Sequence, residues 1–493
     1  MDMDILFIAT IIIPVIGIGF SSVIAVRNHQ RLIIDILTVI NMFLLMTEII
    51  IAIYMASKTH NTTYYSKFAY GLQIDGLSVA LLVLFQAIMF IVGLFSIYYI
   101  EKEKQASYFT LYFVLQLGMT LVLIGDNYFF IFVFWELMVL TGYALVVFEK
   151  RKESIIAGFR YLVISSLGSL ILLFGLGLMT LVSPSLNFTT LQQINVTSSI
   201  LGKLSLGFII LGFGVTGGFV VLNQWLPDAH PAAPAPISSL LSGLLVKTGI
   251  YGIYRTVLIL TPVQGFDAKT NQALLIIGLI TITEGNIMVL AQLMRKDVQD
   301  FKRVLAYSTT VHLGFLLLVA GIPGTLATIA LIFHTINHAI AKALLFMISG
   351  YFIHKYHTRE LRELRGIGRK DKYLGAIIMI AFFSLGGLPL TGGFVSKFLI
   401  LFVLYKQVLV TSGIGGAMLF WALFIAIANS ALAFGGYLWI IKILVFDSPV
   451  AEIDTTISTN EKLIRILFGL IALIIILLGI YPWLVLKPLT FLL

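Results

Sequence analysis

Residues 382–402 read FFSLGGLPLTGGFVSKFLILF, a run apolar enough to lie in a bilayer and yet unable to form one regular helix. Within GGLPLTGG (386–393) the glycines give up helix propensity and Pro389 lacks an amide hydrogen, so carbonyls freed there need donors from protein or water. Lys397 follows the break, a full charge inside the hydrophobic run. An ammonium at the centre of a lone helix costs about 2.5–3.5 kcal/mol on insertion scales, so such a residue normally faces a protein interior or a hydrated cavity. A broken helix beside a buried charge points to ion movement. The alternative is a kink that only packs, with Lys397 snorkelling to an interface; the apolar chain on either side weighs against it.

Outward from this stretch the chain is of one kind. It has 493 residues, 59% hydrophobic and 11% charged, with a mean hydropathy of +1.03, whereas a soluble domain carries about 25% charged residues. A polytopic membrane protein is expected. Its 37 Phe and 42 Gly suit helices that pack closely in lipid, and the alternation of a β-barrel is missing. With no cysteine, Cys-ligated iron–sulfur clusters, Cys-bound haem and disulfides are excluded from this chain. Any redox chemistry would belong to other subunits, and no cofactor is expected here beyond the translocated H⁺ or Na⁺. The net charge of +9 would suit nucleic acid, but the basic residues sit in short loops between apolar spans, as membrane topology places them. No nucleic-acid partner is expected.

Spans of about 20 apolar residues lie near 4–25, 33–56, 74–99, 108–125, 127–148, 156–183, 204–224, 235–260, 271–294, 304–321, 324–353, 373–411, 414–445 and 463–484. The fold class is all-α, with roughly fourteen transmembrane helices. The opening MDMDILFIATIIIPVIGIGF has Asp2 and Asp4 where a signal peptide carries Lys or Arg, and no small-residue cleavage site follows, so it reads as a retained first helix. Alternate loops are basic: Arg27 and Arg31; Lys102 and Lys104; Lys150, Arg151 and Lys152; Arg295, Lys296, Lys302 and Arg303; then HKYHTRELRELRGIGRKDK (354–372). The opposite loops hold little beyond Lys58, Lys67, Lys203 and Lys269. The positive-inside rule then puts both termini outside the cell (inner) membrane. The loop 354–372, with Leu361 and Leu364 among its charges, reads as a short amphipathic piece on the inner surface or as a solvated loop.

This orientation divides the chain into 1–107, three N-terminal helices; 108–260 and 261–445, two five-helix repeats of inverted topology; and 446–493, a loop and the last helix. Each repeat is interrupted at its fourth helix, by VTGGFVVLNQWLP (215–227) and by SLGGLPLTGG (384–393). These are helices 7 and 12 of the chain. Paired interruptions in inverted halves point to an ion path at the membrane midplane.

Ionisable residues well inside apolar spans are Glu48, Glu136, Lys247, Glu284, Lys342 and Lys397. Desolvation raises a carboxyl pKa and lowers that of a lysine, bringing both toward the range in which protons are exchanged. Glu136, in FIFVFWELMVLTGY, has nothing local to solvate it. Lys342 follows His334 and His338 at i+8 and i+4, so the three share one helical stripe. His312 extends the same row, and imidazoles relay protons because their reference pKa lies near 6.5. Simpler readings stand beside these. His334 and His338 have metal-ligand spacing, but Lys342 is a nearby cation; His312 suits a satisfied core histidine. Glu48, outside both repeats, reads as structural or as facing lipid near an interface. Glu284 is balanced between the two kinds of role, and Asp228 in WLPDAHP reads as a helix cap.

These residues resemble a known family, the antiporter-like subunits shared by respiratory complex I, membrane-bound hydrogenases with related archaeal complexes, and multi-subunit sodium/proton antiporters. The likeness is carried, in order, by IDGLS (74–78), FWEL (134–137), YLVISSLGS (161–169), WLPDAHPAAPAPISSLL (225–241), LVKTGIYG (245–252), FKRVLAYSTTVHLGF (301–315), HTINHAIAKALLF (334–346) and GLPLTGGFVSKF (387–398). It implies a fourteen-helix subunit with interrupted helices 7 and 12 and a hydrophilic axis along the midplane. By motif, Glu136 matches the family's helix-five glutamate, Lys247 the helix-eight lysine, and His312 with the His338/Lys342 region the central relay. Lys397 matches the helix-twelve position, which is Lys in some subunits and Glu in others. One position departs. The family places a lysine about nine residues before the Trp of WLP as partner of the helix-five glutamate; here that residue is Thr216. Lys203 lies thirteen residues earlier, about 20 Å along a helix.

The leading expectation is therefore a proton- or sodium-translocating subunit of a redox-driven, complex I-like assembly, working among other membrane subunits, further antiporter-like ones included. Its alternatives are a subunit of a redox-free sodium/proton antiporter and a structural spacer with a degenerate channel. The residues assigned to translocation are Glu136, Lys247, His312, His334, His338, Lys342 and Lys397, with Glu284 and Thr216 as accessory positions.

Overall fold

In lipid a chain can satisfy its own backbone only as a helix or a closed barrel, and these apolar runs all resolve as helices. The computed structural model describes residues 3–26, 31–59, 63–66, 71–264, 268–449 and 457–493. Arg27 and Lys67, counted above among the loop charges, lie outside them. Among the described residues thirteen helices are long and apolar enough to cross a membrane.

The first six are continuous: α1 (Met3–Val26), α2 (Arg31–Lys58), α3 (Gly76–Tyr99), α4 (Lys102–Ile124), α5 (Tyr128–Val146) and α6 (Lys152–Thr180). A two-residue antiparallel ladder, β1 (Tyr64–Tyr65) with β2 (Gln73–Ile74), precedes α3. The seventh expected span is two pieces, α7 (Ile200–Thr216) and the short α8 (Leu226–Ala232). Next comes α9, which runs Ala235–Leu240, widens into a π turn at Leu241–Leu245 and continues as Val246–Gln264. Then follow α10 (Ala268–Met294), α11 (Phe301–Ala320) and α12 (Thr325–Tyr356). The run 373–411 is again two helices, α13 (Lys372–Gly386) and α14 (Gly392–Val410). The chain ends with α15 (Gly413–Ile441), α16 (Thr459–Ile480) and α17 (Trp483–Leu492). The expected last span, 463–484, thus divides at Tyr481, where Pro482 lacks the amide that would continue α16.

Helix rank is set by what each surrounds. In α9 94% of the apolar membrane stretch is buried, and in α11 and α12 89%, whereas α1 and α15 bury only 28% of theirs. The three enclosed helices carry Lys247, His312 and the stripe His334, His338 and Lys342. The outer helices turn large apolar side chains outward, such as Phe159, Leu170 and Phe174 on α6, as a lipid-facing surface requires.

One expectation narrows at this level and another fails. Of the two readings of loop 354–372 the amphipathic one fits: Leu361 and Leu364 are buried while Arg362, Glu363 and Arg365 are exposed, and its arginines are tied to neighbouring loops. Arg359 pairs with Asp300 at 2.7 Å, and Arg362 donates to the carbonyls of Arg295 and Lys296 at 2.6 and 2.7 Å, which lie just past α10 and lack helical partners. The expectation that fails is Asp228, which is no cap. It sits within α8 and pairs with Arg160 of α6 at 2.7 Å and Arg303 of α11 at 3.2 Å. The loop ends on Asp371, which caps α13 through Leu374 N and pairs with Arg465 of α16. Burial alone would push the Asp371 carboxyl up; the Arg465 hydrogen bond overrides it and holds the group below the usual carboxylate range.

Candidate ion pathway

Lys247 sits on α9 immediately after the π turn, a feature often found at functional positions. It is almost fully buried, its ammonium donates to the Ser242 carbonyl inside that turn, and it lies 2.6 Å from Nδ1 of His338. The His338 ring stands 4.6 Å, centre to centre, from His312. His312 Nδ1 and His334 Nε2 share a hydrogen bond of 3.2 Å, and His334 Nδ1 reaches Ser396 Oγ at 3.2 Å. The other nitrogen of His312 meets Tyr437 Oη of α15 at 3.3 Å, which is itself bonded to Ser308 Oγ at 2.6 Å. A row of nitrogen bases thus runs from α9 across α12 and α11 to α14. Lys342 stands beside it, wholly buried, with Nζ on the Leu305 carbonyl at 2.8 Å.

Ser396 ends the row next to Lys397, at the break that opened the sequence reading. Gly387 terminates α13 in the left-handed region, φ +84°, a conformation that costs a side chain. The turn frees the carbonyl of Gly386, and Lys397 donates to it at 3.0 Å and to Ser430 Oγ at 3.0 Å. The ammonium also lies 5.3 Å from the centre of the Phe315 ring. It is 5% exposed, which rules out snorkelling.

At the other break α7 ends on Thr216, buried and uncharged. The carbonyl of Val215 is met by the Trp225 indole at 3.3 Å, Val220 N donates to Thr281 Oγ1 of α10 at 3.3 Å, and Asn223 Nδ2 donates to Glu284 at 3.1 Å. Glu284 therefore belongs to this break, half-buried in a cavity of about 260 Å³ shared with Asp228, Tyr307 and Thr310. Glu136 is not drawn into the row. Its Oε1 is buried without a hydrogen-bond partner, and among the described residues it forms no ion pair. Lys203 is exposed.

Sequence reasoning missed several buried polar groups. Lys302, counted as a loop charge, is buried with Nζ on the Ala233 carbonyl at 2.5 Å, at the floor of a vestibule of about 550 Å³ lined by Arg160, Asp228, Arg303 and Arg359. His230 is fully buried, both nitrogens without a partner, stacked on Phe346 at 4.8 Å. Glu48 does not face lipid: it is wholly buried and neither oxygen has a partner. The signal for these was an unusual residue at a helix end or inside an apolar run; the side on which it falls needs the packing.

The profile of the NADH:quinone oxidoreductase/Mrp antiporter transmembrane family matches residues 125–419. The chain belongs to this family. As an antiporter-like chain it is 29% identical to hydrogenase-4 component B of Escherichia coli (strain K12) over 340 residues, 66% of this chain and 50% of that protein; it spans half the length of that relative. Its fold is similar to a chain of the membrane-bound sulfane sulfur reductase, an archaeal respiratory membrane complex (TM-score 0.83, 23% identity, 99% of this chain and 96% of the other). It is equally similar to a chain of the Mrp complex from Dietzia sp. DQ12-45-1b (TM-score 0.84, 18% identity, 99% and 96%). The antiporter-like resemblance and the all-helical polytopic membrane fold read from the sequence are borne out.

Proposed function

We propose that this antiporter-like chain conducts protons along Lys247, His338, His312, His334 and Ser396 to Lys397, as one subunit of a multi-subunit membrane complex driven by redox chemistry in neighbouring chains. The observation that carries the reading is the line of contacts from Lys247 to Ser396, hydrogen-bonded at each step except between His338, whose Nε2 has no hydrogen-bond partner, and His312, where the rings stand 4.6 Å apart. Lysine and histidine pass protons between nitrogens, whereas a hard cation such as Na⁺ is held by carboxylate, carbonyl and water oxygens; the row offers nitrogen bases. Lys342 acts on the row through its charge. Glu136 lies in the first half, and Glu284, on α10 of the second, faces the first break; both are outside the contacts of the row. The basic loops face the inner side, and both termini the outer.

A redox driver is favoured by the likeness to a hydrogenase component and to a respiratory complex. Exchange without redox chemistry is the second reading, supported by the equal likeness to the Mrp complex. The polypeptides that co-purify with the chain decide between them: hydrogenase-like or iron–sulfur partners are expected, and a set of small membrane subunits alone would favour the second. For the row itself, Lys247→Ala and His338→Ala in the assembled complex in proteoliposomes should each lower driven proton uptake at least tenfold. Unchanged uptake in both variants, with assembly shown on a native gel, would leave the chain a spacer.

A further inference from the structure

The row needs contact with water, and the polar run along α9 leads to one place. Lys247, Tyr251 and Arg255 fall at i, i+4 and i+8 and so share one stripe of the helix, carrying charge about 12 Å from Lys247 toward the α9 C-terminus. Arg255 is buried, donates to Tyr251 Oη from Nε and Nη2 at 3.1 and 2.9 Å, and grips Asp75 with both terminal nitrogens, one at 2.9 Å. Asp75 also caps α3, accepting from Ser78 N at 2.9 Å. Beyond the carboxylate opens a cavity of about 320 Å³, lined by Asp75, Leu258, Thr325, Thr328 and the end of α17. Chain direction puts this cavity at the start of α3 and α12, the membrane face opposite the vestibule of Lys302.

We infer that this cavity is the portal through which the row exchanges protons with the outer face, and that the Asp75 carboxylate at its floor is the exchange site. The inference rests on the proton-conducting reading above. A proton arriving from the Lys247 side is taken by Asp75, which becomes neutral and releases Arg255; the proton then passes to cavity water and the ion pair re-forms. Tyr251 donates its only proton to the Leu123 carbonyl at 2.6 Å while accepting from Arg255, so in the intact pair the guanidinium, not the phenol, faces Asp75.

A buried ion pair at a helix start also serves simply as a staple, and the test separates the two. Removing both charges while keeping shape, Asp75→Asn with Arg255→Gln, leaves the cap acceptor and no unpaired charge, so a staple is largely replaced. In the assembled complex in proteoliposomes the double variant should lower driven proton uptake at least tenfold with its denaturation midpoint near wild type, and Asp75→Glu alone should retain most of the uptake. Wild-type uptake in the double variant overturns the portal. Because the chain has no natural cysteine, Leu258→Cys places a single thiol in it. That thiol should react with a membrane-impermeant maleimide added on the outer face, and protection from it also overturns the portal. Lys247→Ala, run alongside, tells the failures apart: if it abolishes uptake while the double variant does not, only the portal fails; if neither matters, the row fails with it.

Discussion

The two helix breaks begin from the same problem and solve it with opposite chemistry. Each ends a helix in the membrane and frees a carbonyl. At α13 the carbonyl of Gly386 receives the ammonium of Lys397, which anchors a mobile charge beside the histidine row. At α7 the carbonyl of Val215 receives a neutral indole, and the charge of that region, Glu284, stands across the break on α10 with an amide as its donor. The α7 break is also closed from behind: a Cβ added at Gly249 of α9 would come within 2.4 Å of Gly217 N. An interrupted helix is therefore not in itself an ion site. What it becomes depends on which donor reaches the freed carbonyl and on how near the next backbone lies.

The largest expected contrast follows directly. Lys397→Ala removes the charge and strands a buried carbonyl, and driven proton uptake should fall at least tenfold. Trp225→Phe strands the matching carbonyl at the other break, costing about 1–3 kcal/mol of stability, yet uptake per assembled complex should stay within twofold of wild type. Uptake assays normalised to assembled complex check both, and equal losses in the two variants would erase the distinction between the breaks.

A second experiment asks whether one residue separates them. Phe213 of α7 packs on Trp135 of α5 with ring centres 5.0 Å apart, and Glu136 is the residue after that tryptophan. Thr216→Lys should place an ammonium near the unpartnered Glu136 oxygen. Thr216→Lys alone should be tolerated, whereas combined with Glu136→Gln the unpaired charge should cost about 3 kcal/mol, read from the denaturation midpoints of the four members of the cycle. Additive effects, with no coupling, would mean that the halves differ in architecture and not by a single side chain.

That second experiment also marks how far the sequence could be read. The helices were legible because twenty apolar residues in lipid admit little else, and both breaks were legible because Gly386, Gly387 and Pro389, or Gly217 and Gly218, deny a helix its propensity. Lys247, His334, His338 and Lys397 stood out as costly residues in apolar runs; the structure brings the first three to one row and leaves Lys397 beside its end, on the Gly386 carbonyl and Ser430. Ser396 and Tyr437 did not stand out, since a hydroxyl in a membrane helix commonly bonds its own backbone. The pairing of Asn223 with Glu284, and of Asp75 with Arg255 180 residues away, depends on which helices become neighbours. For Glu48 the sequence left two readings, structural or lipid-facing, and only the packing that buries it decides for the first, because a lone carboxyl in α2 says nothing about the rotation of the helix.

The smallest effects are expected at two glycines, one at each break, and they sharpen the comparison most finely. Gly249→Ala drives a methyl into the backbone of Gly217, which cannot yield as a side chain would, so about 1–3 kcal/mol of stability should be lost as overpacking. Uptake per folded complex should hardly change, because no charge moves. Gly387→Ala forces a side chain into the left-handed region, for about 1–2 kcal/mol, and its new Cβ would sit 2.9 Å from Cδ of Lys397. That atom belongs to a flexible side chain and can give way, but in doing so it shifts the ammonium from the Gly386 carbonyl and from Ser430. Stability losses should thus be similar at the two sites while uptake falls only for Gly387→Ala, by roughly threefold if the displaced hydrogen bond is worth about 0.6 kcal/mol in the conducting state. A methyl at Gly249 that slowed uptake as much as one at Gly387 would show that the closed backbone behind the α7 break, and not only the lysine in front of the α13 break, moves during turnover.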